Sequence, residues 1–375
     1  MKIAFDAKRM LNNATGLGNH SRILVNALMR DYRDNDYLFF SPKAKEEYIR
    51  QLHGDYKLIL PATQFAKALH PWWRSYGITE QLLADMVDIY HGTSNEIPLN
   101  IHRSGIKSVV TIHDLIFLKH KEQYPWVDRQ IYTYKTQYAV KHANKIIAVS
   151  EETKRDLMEF YKVPESKIAV IYQSIDTRFS TIATDATKLE LKAKYDLPEK
   201  FILNVGSFYP RKNQLNLIRA FELIKDKTDH HLVLVGSAGS IAAQIKKAII
   251  EAQLQSRVHI INNVSNDDLP TIYRDAALFV FPSLFEGFGM PVLEALTSGL
   301  PVVATQGGAV AEAAGPGSLL IDPHDISGIA DKILLLLNDK ILQKKMREEG
   351  VKHAKTMTDT VFARRTMDVY REVIG

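Results

Sequence analysis

The chain has 375 residues, 46% of them hydrophobic and 24% charged, which is more than a single hydrophobic core usually serves and points to two domains. It contains no cysteine, so disulfides, thiolate catalysis and zinc–thiolate sites are excluded, and no stretch approaches the roughly 18 uninterrupted apolar residues of a membrane span. The formal net charge of +5 is unevenly spread: residues 1–180 hold 25 Lys/Arg against 20 Asp/Glu, leaving 23 against 23 of the totals 48 and 43. A basic first half suits an anionic substrate or an anionic membrane surface. Without a polybasic arm or an RNA-binding aromatic signature, nucleic acid is not an expected partner. Met1–Asp6 runs straight into a strand-like segment with no signal-peptide pattern, so the expected location is cytoplasmic, with peripheral contact at the inner face of a membrane as an option.

Short apolar, β-rich runs alternate with helix-period segments. Strands are expected at Lys2–Asp6, Tyr37–Phe40, Lys57–Leu60, Asp88–His91, Ser108–Ile112, Lys145–Val149 and Ile168–Tyr172, with helices including Asn19–Arg30, Tyr76–Met86, Asp128–Lys141 and Glu151–Phe160. The polar stretch Ser174–Thr187, where apolar periodicity lapses, reads as the linker. A second series follows at Phe201–Val205, His231–Val235, Val258–Ile261, Ala277–Phe281, Pro301–Ala304 and Ser318–Ile321. The pattern is α/β, with two parallel, doubly wound sheets in domains 1–176 and 177–358. A last helix, about 359–375, is free to pack back onto the first domain.

In this architecture ligands bind at the carboxyl ends of the strands, so the informative residues should follow strands. After the first strand, Asn12–Asn19 forms a loop in which Gly16 and Gly18 would let a phosphate approach the backbone at a helix N-terminus. After Ala277–Phe281 comes Pro282-Ser283-Leu284-Phe285-Glu286-Gly287-Phe288-Gly289-Met290-Pro291, in which Pro291 suits the first turn of a helix. Glu286 then lies on the loop and Glu294 about one turn into the helix. Two carboxylates so spaced can accept hydrogen bonds from two different polyols, and the N–H groups of Gly287, Phe288 and Gly289 suit phosphate oxygens. After Phe201–Val205, Gly206 frees the turn, Arg211 offers a planar fork and Lys212 a compact charge for a diphosphate.

Glu286 and Glu294, with seven residues between them, resemble the E-x7-E element of the retaining family-4 glycosyltransferases. Gly206–Asn213 is similar to that family's G-x-x-x-x-R-K-N segment, and Thr111-Ile112-His113-Asp114-Leu115 to its H-D loop. The resemblance is nearly continuous over residues 200–315 and looser over 1–176. It implies the GT-B fold, two Rossmann-like domains facing a central cleft, with the first serving the acceptor and the second the nucleotide-sugar donor. It also implies that His113 hydrogen-bonds the transferred sugar, with Asp114 orienting the imidazole or meeting the acceptor. Ile147–Glu151 and Asp88–Gly92 also match the family and read as scaffold, Ser150 being a helix cap.

The implied reaction moves a hexosyl group from a nucleoside diphosphate sugar to a hydroxyl of a glycan or glycolipid acceptor, with retention. Arg211, Lys212 and the loop N–H groups would stabilise the charge that grows on the diphosphate. The pattern looks most like bacterial mannosyltransferases of polysaccharide assembly, so GDP-mannose is the favoured donor and a UDP-hexose the second choice. No cofactor or metal is expected, because the Arg/Lys pair and the helix end supply the needed charge, and Asp34-Asn35-Asp36 precedes a strand and does not follow one. One departure stands out: Gln173-Ser174-Ile175-Asp176 replaces the Asn-Gly-Val-Asp turn of many relatives. Phe65–Arg74 interleaves aromatic and basic residues that suit a lipid headgroup region or stacking on a sugar, with Trp72 and Trp73 read in preference as packing between a loop and the following helix. A nucleotide-sugar 2-epimerase of the same fold and a non-catalytic binder are the alternatives. A nicotinamide dehydrogenase is disfavoured, since Gly16-Leu17-Gly18 has no third glycine.

Overall fold

The computed structural model describes residues 1–237 and 239–375, apart from the side chains of Phe65 and Lys67, so that part of the Phe65–Arg74 stretch lies outside the described residues. The chain forms two compact units, Met1–Ser174 with Met357–Gly375, and Ile175–Thr356. The boundary falls between Ser174 and Ile175. Most of the expected linker therefore belongs to the second unit: Thr177–Ser180 is a 3-10 turn whose Phe179 is buried, and the Arg274 guanidinium donates to the Phe179 carbonyl at 2.7 Å. A polar run with one apolar anchor loses its periodicity without losing its packing.

The first unit is a seven-stranded parallel sheet in the order β3-β2-β1-β4-β5-β6-β7. Its strands are β1 (Lys2–Asp6), β2 (Asp36–Phe40), β3 (Lys57–Ile59), β4 (Ile89–Gly92), β5 (Lys107–Ile112), β6 (Lys145–Ala148) and β7 (Ile168–Val170). The central strands are buried on both faces, which is why they read as unbroken apolar runs. The helix Gly16–Asp31 follows β1, and the helix Asp359–Ile374 packs against it, burying Phe362, Ala363, Met367, Val369 and Tyr370. Tyr370 reaches His91 at the end of β4, with Oη 2.6 Å from Nδ1, and Arg30 pairs with Asp359 at 2.6 Å. The C-terminal helix is thus a layer of the first unit's core. Trp73 lies in a π-helical turn, Trp73–Gly77, that precedes the helix Ile78–Ala84, so the helix expected from Tyr76 starts later. Trp73 is 7% exposed and Trp72 is 49% exposed, so one tryptophan packs as expected and its neighbour faces outward.

The second unit repeats the plan in six parallel strands, ordered β10-β9-β8-β11-β12-β13. These are β8 (Phe201–Val205), β9 (His231–Val235), β10 (Val258–Ile261), β11 (Leu278–Phe281), β12 (Val302–Thr305) and β13 (Leu319–Ile321). In each sheet the strand order reverses next to the unit's first strand, between β1 and β4 and between β8 and β11. At such a switch point the connections leave toward opposite faces, and a crevice opens at the strands' carboxyl ends. Among the described residues, no helix is long and apolar enough to cross a membrane.

Candidate active site

In the second unit the switch point brings two distant loops together. The loop after β8 turns through Gly206 into a 3-10 turn, Pro210–Lys212, and Asn213 adopts the left-handed conformation, φ 59°. Its side-chain amide donates to the carbonyls of Pro282 and Pro323 at 3.1 and 2.7 Å. This fastens the Arg-Lys-Asn turn to the loop after β11, where Leu284 N–H donates to the Arg211 carbonyl at 2.7 Å. Thr305, at the end of β12, holds the Ser283 carbonyl at 2.7 Å.

On this frame Glu286 sits between two cations. Its Oε2 accepts from Arg211 Nη1 at 2.6 Å, and its Oε1 accepts from Lys212 Nζ at 2.5 Å and from Ser283 Oγ at 2.6 Å. Burial by itself would raise the carboxyl's pKa. Lys212 and Arg211 outweigh it and hold Glu286 at about 2, so it is ionised. Burial pulls Lys212 below the usual lysine range, though Glu286 opposes this. The cluster carries one net positive charge in a site largely withdrawn from water, where electrostatic interactions are strongest.

Gly289 has φ 121°, a conformation that side chains resist, and it leads into the helix Met290–Thr297 with Pro291 in the first turn, as the sequence predicts. Glu294 lies on that helix and accepts a hydrogen bond from the Tyr273 hydroxyl at 2.7 Å. Burial raises its pKa to about 7, against the smaller opposing effects of Tyr273 and Lys212. The two carboxylates therefore differ in kind: Glu286 is a fixed anion, and Glu294 can keep its proton near neutrality and donate as well as accept. Tyr273 has no sequence signal of its own. Gly236, after β9, carries no recognisable motif either. A Cβ there would lie 2.1 Å from the Gly206 carbonyl oxygen, so glycine is needed for β9's loop to pass the β8 turn.

In the first unit, His113 follows β5 and is 5% exposed. Its Nε2 lies 2.9 Å from the Thr93 carbonyl oxygen, which can only accept, so Nε2 carries the proton and Nδ1 accepts from the Gln173 amide at 3.1 Å. Burial lowers its pKa to about 4, and it is neutral. The expectation that Asp114 orients the imidazole needs correction. Both ring nitrogens are engaged by Thr93 and Gln173, whereas Asp114 Oδ1 accepts from the Ile116 backbone N–H and shapes the turn. Gln173, which departs from the family turn, is what holds Nδ1. Ser150 does cap its helix, accepting from Thr153 N–H at 3.0 Å. In the loop after β1, a Cβ at Gly18 would stand 2.0 Å from the Asn13 carbonyl oxygen, whereas Gly16 opens the helix with nothing within 4 Å. Gly18 is the constrained glycine of the pair. Gly16, Gly18, His113 and Asp114 thus sit in the first unit, and Gly206, Arg211, Lys212, Glu286, Gly287, Phe288, Gly289 and Glu294 in the second.

Two doubly wound sheets, the second with a cationic turn and paired acidic residues at its switch point, define a glycosyltransferase of GT-B fold. Family models agree on both halves: Glycosyltransferase Family 4 matches residues 14–179 and Glycosyl transferases group 1 matches residues 187–353. The chain belongs to the family-4 glycosyltransferases. It is 26% identical to O-antigen chain mannosyltransferase B of Escherichia coli over 99% of this chain and 100% of that protein. It is 25% identical to O-antigen chain mannosyltransferase RfbU of Salmonella typhimurium, over 84% and 86% of the two chains. The serotype-specific mannosyltransferase WbdA of E. coli is 26% identical over 87% of this chain, which spans 41% of that longer protein. Among solved structures, a glycosyltransferase from Rickettsia africae superposes with a TM-score of 0.78 at 20% identity, covering 100% of this chain and 98% of that one. Anabaena HepE in complex with UDP and glucose gives 0.77 at 17% identity, covering 99% and 100%.

Proposed function

We propose that the protein is a retaining, metal-independent mannosyltransferase that uses GDP-mannose and extends a polysaccharide or glycolipid acceptor. The observation that carries the reading is the Arg211–Glu286–Lys212 cluster at the second unit's switch point. A diphosphate entering there meets a fork and a point charge already aligned by Glu286, and preorganised charge of this kind acts most strongly where charge grows in the transition state. Glu294 would take a ribose or sugar hydroxyl, and the neutral His113 a hydroxyl of the transferred sugar once Nδ1 exchanges Gln173 for it. No side chain is assigned as covalent nucleophile or general base. The acceptor attacks from the leaving-group side and its proton passes to the departing phosphate. Mannose as the donor sugar rests on the two O-antigen relatives and WbdA, which are mannosyltransferases by name.

The test is a donor panel of GDP-mannose, UDP-glucose, UDP-galactose and UDP-N-acetylglucosamine, with and without EDTA, following nucleoside diphosphate release. Release from GDP-mannose that survives EDTA is expected. Release from a UDP-sugar alone overturns the donor, and loss with EDTA overturns metal independence.

A further inference from the structure

The loop after β1 carries charge that the donor half-site does not use. Asp6, at the end of β1, is 3% exposed and fully engaged: Oδ1 accepts from the Lys8 backbone N–H at 3.0 Å and Oδ2 from Arg74 at 2.6 Å. Arg74 also contacts Glu96 at 2.5 Å, and Glu96 takes Lys135 at 2.7 Å. The two carboxylates are therefore consumed by Arg74 and Lys135. Lys8 and Arg9 follow at once, both half-buried, and neither side chain has a hydrogen bond or ion pair among the described residues. Burial, and then the Arg74 charge, lower the Lys8 pKa, and the nearby Glu96 and Asp6 carboxylates oppose this without reversing it. A partly desolvated ammonium set against a guanidinium is costly unless an anion from outside completes it.

The cationic loop is tied to the His113 turn. Thr93 donates its hydroxyl to the Asp6 carbonyl at 2.9 Å, while its own carbonyl holds His113 Nε2. Arg9 also lies close enough to His113 to add to the burial that keeps the imidazole neutral. An ammonium and a guanidinium on consecutive residues at the carboxyl end of β1 suit a phosphoryl group, the first as a point charge and the second as a fork.

We propose that Lys8 and Arg9 form a phosphoryl-binding subsite beside His113, which takes a phosphate carried by the acceptor. This rests on the transferase reading, and it gives a purpose to the surplus of basic residues in the first half of the chain.

The test begins with inorganic pyrophosphate binding, measured by calorimetry on the full chain. Wild type is expected to lose one class of site in Lys8→Gln/Arg9→Gln and a different one in Arg211→Gln/Lys212→Gln. The first double variant should unfold at the same temperature as wild type or higher, since it removes unpaired cations. Unchanged pyrophosphate binding in Lys8→Gln/Arg9→Gln overturns the subsite. The source of the phosphate is read from transfer to octyl mannoside and to octyl mannosyl phosphate. In Lys8→Gln/Arg9→Gln the KM for the phosphorylated acceptor is expected to rise about tenfold or more, the usual weight of a charge-assisted hydrogen bond. A rise in the GDP-mannose KM in its place assigns the phosphate to the donor and overturns the acceptor assignment. Failure of the transferase reading shows separately, as absent nucleoside diphosphate release from every donor, and leaves the calorimetric result to decide the subsite.

Discussion

Replacing Glu286 by Gln keeps the side chain's shape and removes the charge that Arg211 and Lys212 share. A carboxyl held at about 2 against an ordinary 4.5 favours its ionised form in the folded state by about 3 kcal/mol. The Gln oxygen can still accept one hydrogen bond, so the expected net loss is about 2 kcal/mol. For a unit of this size that is roughly 4–8 °C in the midpoint of its unfolding transition. The folded pKa is depressed, so wild type holds this stabilisation above about pH 4.5 and loses it as the pH falls toward about 2. Glu286→Gln should therefore unfold earlier at pH 7, and the gap should close in acid. Thermal unfolding followed by circular dichroism at pH 7, 5 and 3 reads both effects. A variant that matches wild type at pH 7, or a gap that stays constant into acid, would refute the idea that Glu286 anchors the two cations.

Lys212→Ala should lower turnover with the active donor by about 100-fold or more, as expected for a preorganised charge at a developing anion. Near-wild-type turnover removes Lys212 from the diphosphate site. Glu294 has the opposite linkage to Glu286: its folded pKa of about 7 lies above the ordinary 4.5, so stability falls as the pH rises from about 4.5 to about 7. Glu294→Gln should thus be more stable than wild type at pH 8 and indistinguishable at pH 4, and a difference independent of pH contradicts the buried protonated carboxyl. For His113, 15N chemical shifts at pH 6 should report the neutral ring with the proton on Nε2, and Gln173→Leu should disturb Nδ1 selectively; a protonated ring at pH 6 would overturn the assignment. Gly18→Ala should unfold the loop after β1 and abolish turnover, whereas Gly16→Ala should leave stability intact, because only the first lacks room for a Cβ. Equal effects of the two substitutions would count against that crowding.

The strands were legible because parallel sheets covered on both faces demand unbroken apolar, β-branched runs, and segments such as Phe201–Val205 and His231–Val235 have no other use for them. The loops were legible for a related reason. Glycine and charge placed directly after a buried strand, as in Gly206–Asn213 and Glu286–Gly289, have little structural motive except a ligand. Element identity and the residues offered to the site are local properties, recorded in the spacing of neighbouring residues.

Partnership was decided by the tertiary structure. Sheet order sets β8 against β11, so Glu286 meets Arg211 and Lys212 across a long sequence separation and becomes their anchor. The same ordering gives Glu294 its Tyr273, His113 its Thr93 and Gln173, and the Gly206 turn its Gly236. The helix Asp359–Ile374 shows its amphipathic face in sequence, but only the shape of the first unit's core selects where that face is buried. Hydrophobic burial is non-directional, whereas a hydrogen bond or ion pair needs its partner within about 3 Å. Which residues can serve a site is therefore written along the chain, and which ones are already held by one another is settled by the fold.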